Sequence, residues 1–195
     1  MEGTNPVNKK LVAALSGGAA LVLALTGCGG DDGTNKKLDD WAKKVCDQMQ
    51  PQVKKIEDAN RAIASVQNET DSKKTQQTDS VAFQSNVDAY KGLAASVQDA
   101  GAPPVKDGES SKTNAVKALN DLSGAYGALK TRVDGLDTGD QAKFGAGLKL
   151  IAGDIGKLRS RSDEALTKLQ AGDVGKAMAK QPSCQKTGAA TPSKK

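Results

Sequence analysis

The chain has 195 residues, 28 Lys and Arg against 23 Asp and Glu, a formal net charge of +5, and no histidine. The missing histidine excludes every mechanism that needs a histidine base, a Ser-His or Cys-His pair, or a histidine metal ligand. Aromatic residues make up only 3%, so the core must be built from Leu, Val, Ile and Ala, which is adequate for a helical domain and thin for a β-sandwich. The length suits one domain with a single core. The charge excess is mild and reads as a solvated, mixed surface. Attraction to anionic headgroups or wall polymers is the sharper reading, and salt would weaken it. No dense Lys/Arg stripe interleaves with aromatics, so nucleic acid is not an expected partner.

The first segment has the three parts of an export leader in order. Lys9 and Lys10 form a positive start, Leu11 to Leu25 runs without a charge, and Leu25-Thr26-Gly27-Cys28 follows. The apolar run is too short to span a bilayer, which takes roughly 20 residues, and it matches the apolar region of a signal peptide. The tetrad Leu25, Thr26, Gly27, Cys28 resembles a bacterial lipobox. In such signals a diacylglycerol is attached to the cysteine sulfur and the peptide is cut just before it. Small Thr26 and Gly27 leave the backbone accessible, and Cys28 supplies the thiol. Acyl chains stabilise attachment by about 0.8 kcal/mol per buried methylene, so two or more hold a protein durably on a membrane. Gly29 to Asn35 reads as a flexible spacer.

With Cys28 given to lipid, two of the three cysteines remain, Cys46 and Cys184. An even remainder outside the cytosol predicts one disulfide tying the start of the folded domain to its end. Chain entropy limits its contribution to about 5 kcal/mol. A redox-active pair is disfavoured, because the two are not in a C-x-x-C.

Four apolar stripes at helical spacing then follow. The first is Leu38, Trp41, Val45, Met49, Val53, Ile56, Ile63 and Val66. Pro51 interrupts it without shifting its phase, and predicts either a kink in one helix or the first turn of a second. Asn68 to Thr78 is polar and reads as a loop or frayed end. The second stripe is Phe83, Val87, Tyr90, Ala94 and Val97, ended by Gly101 as a left-handed cap and by Pro103-Pro104. Val105 to Ser111 reads as the longest connection. The third stripe is Val116, Leu119, Leu122, Tyr126, Leu129, Val133 and Leu136. Asp140 reads as the N-cap of the fourth, which carries Phe144, Leu148, Ile151, Ile155, Leu158, Ala165, Leu166 and Leu169. Gly172-Asp173 opens a short further helix through Met178.

Few motifs stand out. Gly124, Gly127, Gly145, Gly147, Gly153 and Gly156 fall inside the third and fourth stripes, where each costs about 0.8–1 kcal/mol relative to Ala. Compositional drift accounts for them, and close helix approach or room for a ligand is the alternative. Asp134, Asp137 and Asp140 lack the alternating ligands and distal Glu of a calcium loop, so they read as capping and turn residues. Trp41, Tyr90 and Tyr126 lie on stripes and read as core or core-edge. No phosphate loop and no G-x-S-x-G is present.

The LTGC leader, the stretch from Leu38 through Trp41 to Cys46 and Asp47, the turn from Ala100 to Val105, and Pro182-Ser183-Cys184 together resemble the small secreted lipoproteins of Streptomyces-type actinobacteria. That resemblance implies an exported helical domain with one disulfide, and it carries no active site across.

The expected fold is all-α, an up-down-up-down four-helix bundle with a kinked or split first helix and a short C-terminal helix. The expected organisation is a lipoprotein signal peptide over 1–27, a flexible spacer over 28–36 following lipidated Cys28, a helical domain over 37–184, and a disordered basic tail over 185–195. The expected role is a non-enzymatic binding or interaction module, lipid-anchored at the extracytoplasmic face of the cell membrane. It would use no cofactor and no metal, and its partner would be an envelope protein or a cell-wall polymer. One alternative is a small-molecule-binding lipoprotein with a pocket beside the glycine-rich helices. Another is a carboxylate-dependent hydrolase, which would require two acids converging in a cleft.

Overall fold

The computed structural model describes residues 31–169 and 172–185, and their regular structure is entirely helical. The leader, the tetrad ending at Cys28 and tail residues 186–195 lie outside the described residues. Four long helices appear: α1 (Asp31–Ser65), α2 (Ser72–Ala100), α3 (Gly108–Asp134) and α4 (Gln141–Leu169). Two short ones follow, α5 (Gly172–Ala179) and α6 (Pro182–Gln185).

The helices depart from expectation at four points. Helix α1 already begins at Asp31, inside the segment expected as spacer. Helix α1 also runs through Pro51 without a break, so the first helix is not split. Pro51 is exposed, and its missing N–H bond falls where water can replace it. Helix α2 begins at Ser72, within the segment expected as a loop. Asp71 caps it by accepting from the backbone N–H of Lys73 at 2.9 Å and of Lys74 at 3.1 Å. Helix α3 begins at Gly108, shortening the expected connection. Asp107 sits there in the left-handed region with φ 62°, which Asp tolerates. A Cβ on Gly108 would lie 2.0 Å from the Pro103 carbonyl oxygen, so only glycine fits that turn.

Helix α2 packs on both α1 and α3, while α4 packs chiefly on α3. The α1–α2 contacts run in reverse order along the two helices. Trp41 Nε1 donates to the Gly101 carbonyl at 2.9 Å, Ser96 Oγ donates to that of Gln48 at 3.3 Å, and Gln52 lies over Gly92. At the other end of α2, Gln76 Nε2 donates to the carbonyls of Val133 and Leu136 at 2.9 Å and of Asp134 at 3.2 Å. One side chain thereby ties the start of α2 to the carbonyls at and just beyond the end of α3.

The apolar interior forms two clusters, where a single core was expected. The larger joins Phe83 and Val87 of α2, Leu122, Tyr126, Leu129 and Val133 of α3, and Ile151 and Leu158 of α4. Ile63 of α1 packs against it. The smaller joins Leu38, Ala42, Val45 and Cys46 of α1 to Val174, Ala177 and Met178 of α5. An 8-residue and a 4-residue helix are too short to be stable alone. They are held to α1 by the Cys46–Cys184 disulfide, with Cα atoms 5.2 Å apart. Polar ties add to it: Lys180 to Asp39 at 3.3 Å, Gln181 Nε2 to the Asp39 carbonyl at 3.4 Å, and Ser183 Oγ to Asp47.

The bond closes a loop of 138 residues, so chain entropy sets its contribution at up to about 5 kcal/mol. The double substitution Cys46→Ala with Cys184→Ala is expected to lower the urea midpoint strongly. It should also raise hydrogen exchange first in α5 and α6. Unchanged protection there would show that the smaller cluster holds without the bond.

Candidate functional site

The structure brings together one pair of the expected site residues, Cys46 and Cys184. Cys46 is buried at 1% exposure and Cys184 is half-buried. The three aspartates do not converge on a common point. Asp134 pairs with Lys130 at 2.6 Å. Asp137 Oδ1 accepts from the Gly139 N–H at 2.9 Å and shapes the turn. Asp140 Oδ1 accepts from the Lys143 N–H at 3.0 Å and caps α4, as the sequence predicts. Among the described residues no group of three or more His, Cys, Asp or Glu is placed to hold a metal ion. No helix among them is long and apolar enough to cross a membrane.

The aromatic residues pack into the fold. Tyr90 stacks on Tyr126 with ring centroids 5.4 Å apart, and Phe83 tilts against Tyr126 at 6.3 Å. Trp41 is half-buried and packs against the smaller cluster.

The glycines do not draw helices together. A Cβ on Gly124, Gly145, Gly153 or Gly156 would meet nothing within 4 Å, and all four positions are exposed. On Gly127 it would reach Val87 Cγ2 only at 3.9 Å, an ordinary contact. Gly147 is different, since its Cβ would fall 2.3 Å from Leu136 Cδ2. One concavity among the described residues lies elsewhere. It is an open groove of about 500 Å3 between α1 and α2, walled by Ala59, Ala62, Val81 and Ala82 with Lys55 and Asp58 beside them.

The polar feature that stripe counting misses is on α2. Asp79 is 6% exposed and Asn86 is 0% exposed. Asp79 Oδ1 and both polar atoms of Asn86 find no hydrogen-bond partner in the protein. A signal for them exists in the sequence. Asp79, Asn86 and Leu93 are spaced by sevens, and they alternate with Phe83, Tyr90 and Val97 at steps of four and three. That is a heptad register, and it places both polar residues at interior positions.

Burial pushes the Asp79 carboxyl up to about 6. The other acids with displaced values move down, because each has a cationic or N–H partner. The Lys74 ammonium and then backbone N–H groups hold Glu69 low. Arg132 and then Lys157 do so for Asp154, and the Lys143 N–H leads for Asp140. These pairs are exposed, where ion pairs contribute little.

Compared with known protein families, with characterised proteins and with solved structures, the chain matches none.

Two predictions follow from this geometry. The folded-state value of Asp79 lies above the ordinary carboxylate range, so its protonation favours the folded state. That contribution is complete below about pH 4 and is lost as pH rises through 6, at most about 3 kcal/mol in all. Stability by urea titration is expected to fall between pH 4 and pH 6.5, and Asp79→Asn should flatten that fall. An equally steep fall in the variant would assign the pH dependence to another group. Separately, Gly145→Ala and Gly153→Ala are each expected to stabilise by about 0.4–1 kcal/mol, because helix propensity rises and nothing is displaced. Gly108→Ala should destabilise. Thermal unfolding of the three variants checks both signs.

Proposed function

We propose that this chain is a membrane-tethered extracytoplasmic lipoprotein whose helical domain is a non-enzymatic binding or interaction module. In this reading Met1 to Gly27 direct export and are removed, and Cys28 carries the lipid. The observation that carries it is the fate of the cysteines. Cys46 and Cys184 take each other, which leaves Cys28 as the odd thiol, directly after Leu25-Thr26-Gly27. A domain held by a disulfide suits an oxidising, extracytoplasmic setting. The spacing agrees with a tether as well, because only Gly29 and Gly30 separate Cys28 from the first helical residue. Two extended residues span about 7 Å, so the domain would stand close to the headgroups.

For the architecture we propose an up-down-up-down bundle. The reversed order of contacts between α1 and α2 supports it. So does the meeting of Gln76, near the start of α2, with the end of α3. Arg132 near the end of α3 pairs with Asp154 midway along α4, which ties those two helices together. The partner would be an envelope protein or a wall polymer, met at the membrane surface. The resemblance to small actinobacterial secreted lipoproteins points the same way.

The test is fractionation with metabolic palmitate labelling of wild type and Cys28→Ala, followed by in-cell crosslinking and pull-down. Wild type is expected to take up label and sediment with membranes. Cys28→Ala is expected to lose both properties and to lose capture of any specific partner. Equal membrane recovery of the two forms, without label, would overturn the tether.

A further inference from the structure

Helix α2 keeps polar atoms where solvent does not reach. Asn86 is completely buried, and neither Nδ2 nor Oδ1 meets a protein partner. Asp79 Oδ1 stands in the same condition on the same side of the helix, two turns earlier and about 10 Å away along the axis. On α1, Gln52 Oε1 is the fourth such atom. Its side chain fills the space over Gly92, where a Cβ would lie 2.6 Å from Gln52 Cδ. Gly92 lies about a third of a turn around α2 from the Asn86 side and both it and Gln52 are half-buried, so Gln52 belongs to the α1 contact and the interior levels are two, Asp79 and Asn86.

Each buried atom left without a hydrogen bond costs about 1–3 kcal/mol, a large share of the stability of one domain. Native interiors supply such atoms with a partner, and where the protein offers none the partner is bound water. The chemistry here narrows the choice. The Asn86 carboxamide presents a donor and an acceptor together. A metal cation would leave the donor unmet, and an anion would face the Asp79 carboxyl. The spacing keeps any one small ion from reaching two levels. A molecule that both donates and accepts, and fits between packed helices, is water.

We propose that the interior side of α2 is a hydration seam, with water bound at Asn86 and again at Asp79. The seam lies beside the aromatic contacts of Phe83, Tyr90 and Tyr126, so the interior is wet along one line and dry along the other. It differs from a ligand pocket, since its polar atoms at Asp79 and Asn86 stand about 10 Å apart along the helix.

The test uses the whole folded domain with its disulfide intact, labelled with 15N, and reads protein–water NOE and ROE cross-peaks. The Asn86 side-chain amide protons are expected to show cross-peaks to water of opposite sign in the two experiments, the mark of a bound molecule rather than exchanging protons. The peaks should persist in Asp79→Asn, and water cross-peaks to neighbouring backbone amide protons should be lost in Asn86→Leu. Should Asn86→Leu not fold, the wild-type peaks decide alone. Slowly exchanging Asn86 amide protons without water cross-peaks would overturn the proposal. Cross-peaks of equal sign, showing Asn86 in open exchange with solvent, would overturn it too.

Discussion

The covalent bond between Cys46 and Cys184 is the constraint on which the outer part of this fold depends. The chain has few large side chains, and its apolar interior is divided between two clusters. The larger gathers residues from three long helices and is the kind of core a helical domain supports by itself. The smaller has one long helix on one side and two short ones on the other. Helices of eight and four residues bring little burial of their own, and the surface pairs around them are weak in water. Cross-linking the chain end to α1 changes that balance. It removes disorder from the unfolded chain and leaves the short helices beside Leu38, Val45 and Trp41, so a small apolar contact suffices.

Helix α2 plays the corresponding part inside the larger cluster, because it is shared by two neighbours. One side meets α1 through Ser96 and Gly92, and the other meets α3 through Val87 and Gln76. Between those sides run Asp79 and Asn86. A purely apolar residue at either position would bury more surface. Polar atoms at heptad positions instead restrict which helix offsets are tolerated, a role known for buried polar residues in coiled coils. Burial that pushes the Asp79 carboxyl up goes with the same restriction, since a carboxylate deep among helices is tolerated in few arrangements.

The stripes made the long helices legible, since Phe83, Val87, Leu122, Leu129, Val133 and Ile151 are all buried. The pairing of Cys46 with Cys184 was legible from counting. The missed segments share a cause. Ser72 to Thr78 has no apolar residue, and its helicity comes from the Asp71 cap and from bonds that Gln76 makes to a helix almost sixty residues away. Stripe reading cannot see a polar residue rewarded by tertiary contact. Asp79 and Asn86 were passed over for the same reason, although their spacing by seven was present in the sequence. The glycines were easier: with open space around Gly124, Gly145, Gly153 and Gly156, composition explains them better than packing.

On the proposed tether, these features fall along one line. The anchor would sit just ahead of α1, a helix of 35 residues and so about 50 Å long. The disulfide binds the end of the domain to the same helix fifteen residues in. Helix α2 then packs along α1 and passes the load to α3. Under that proposal a domain built this way would transmit its position at the membrane through α1, while α4, packed chiefly on α3, is the long helix farthest from that path. Its exposed glycines and Leu150, 66% exposed, therefore sit on the part of the domain least tied to the anchor.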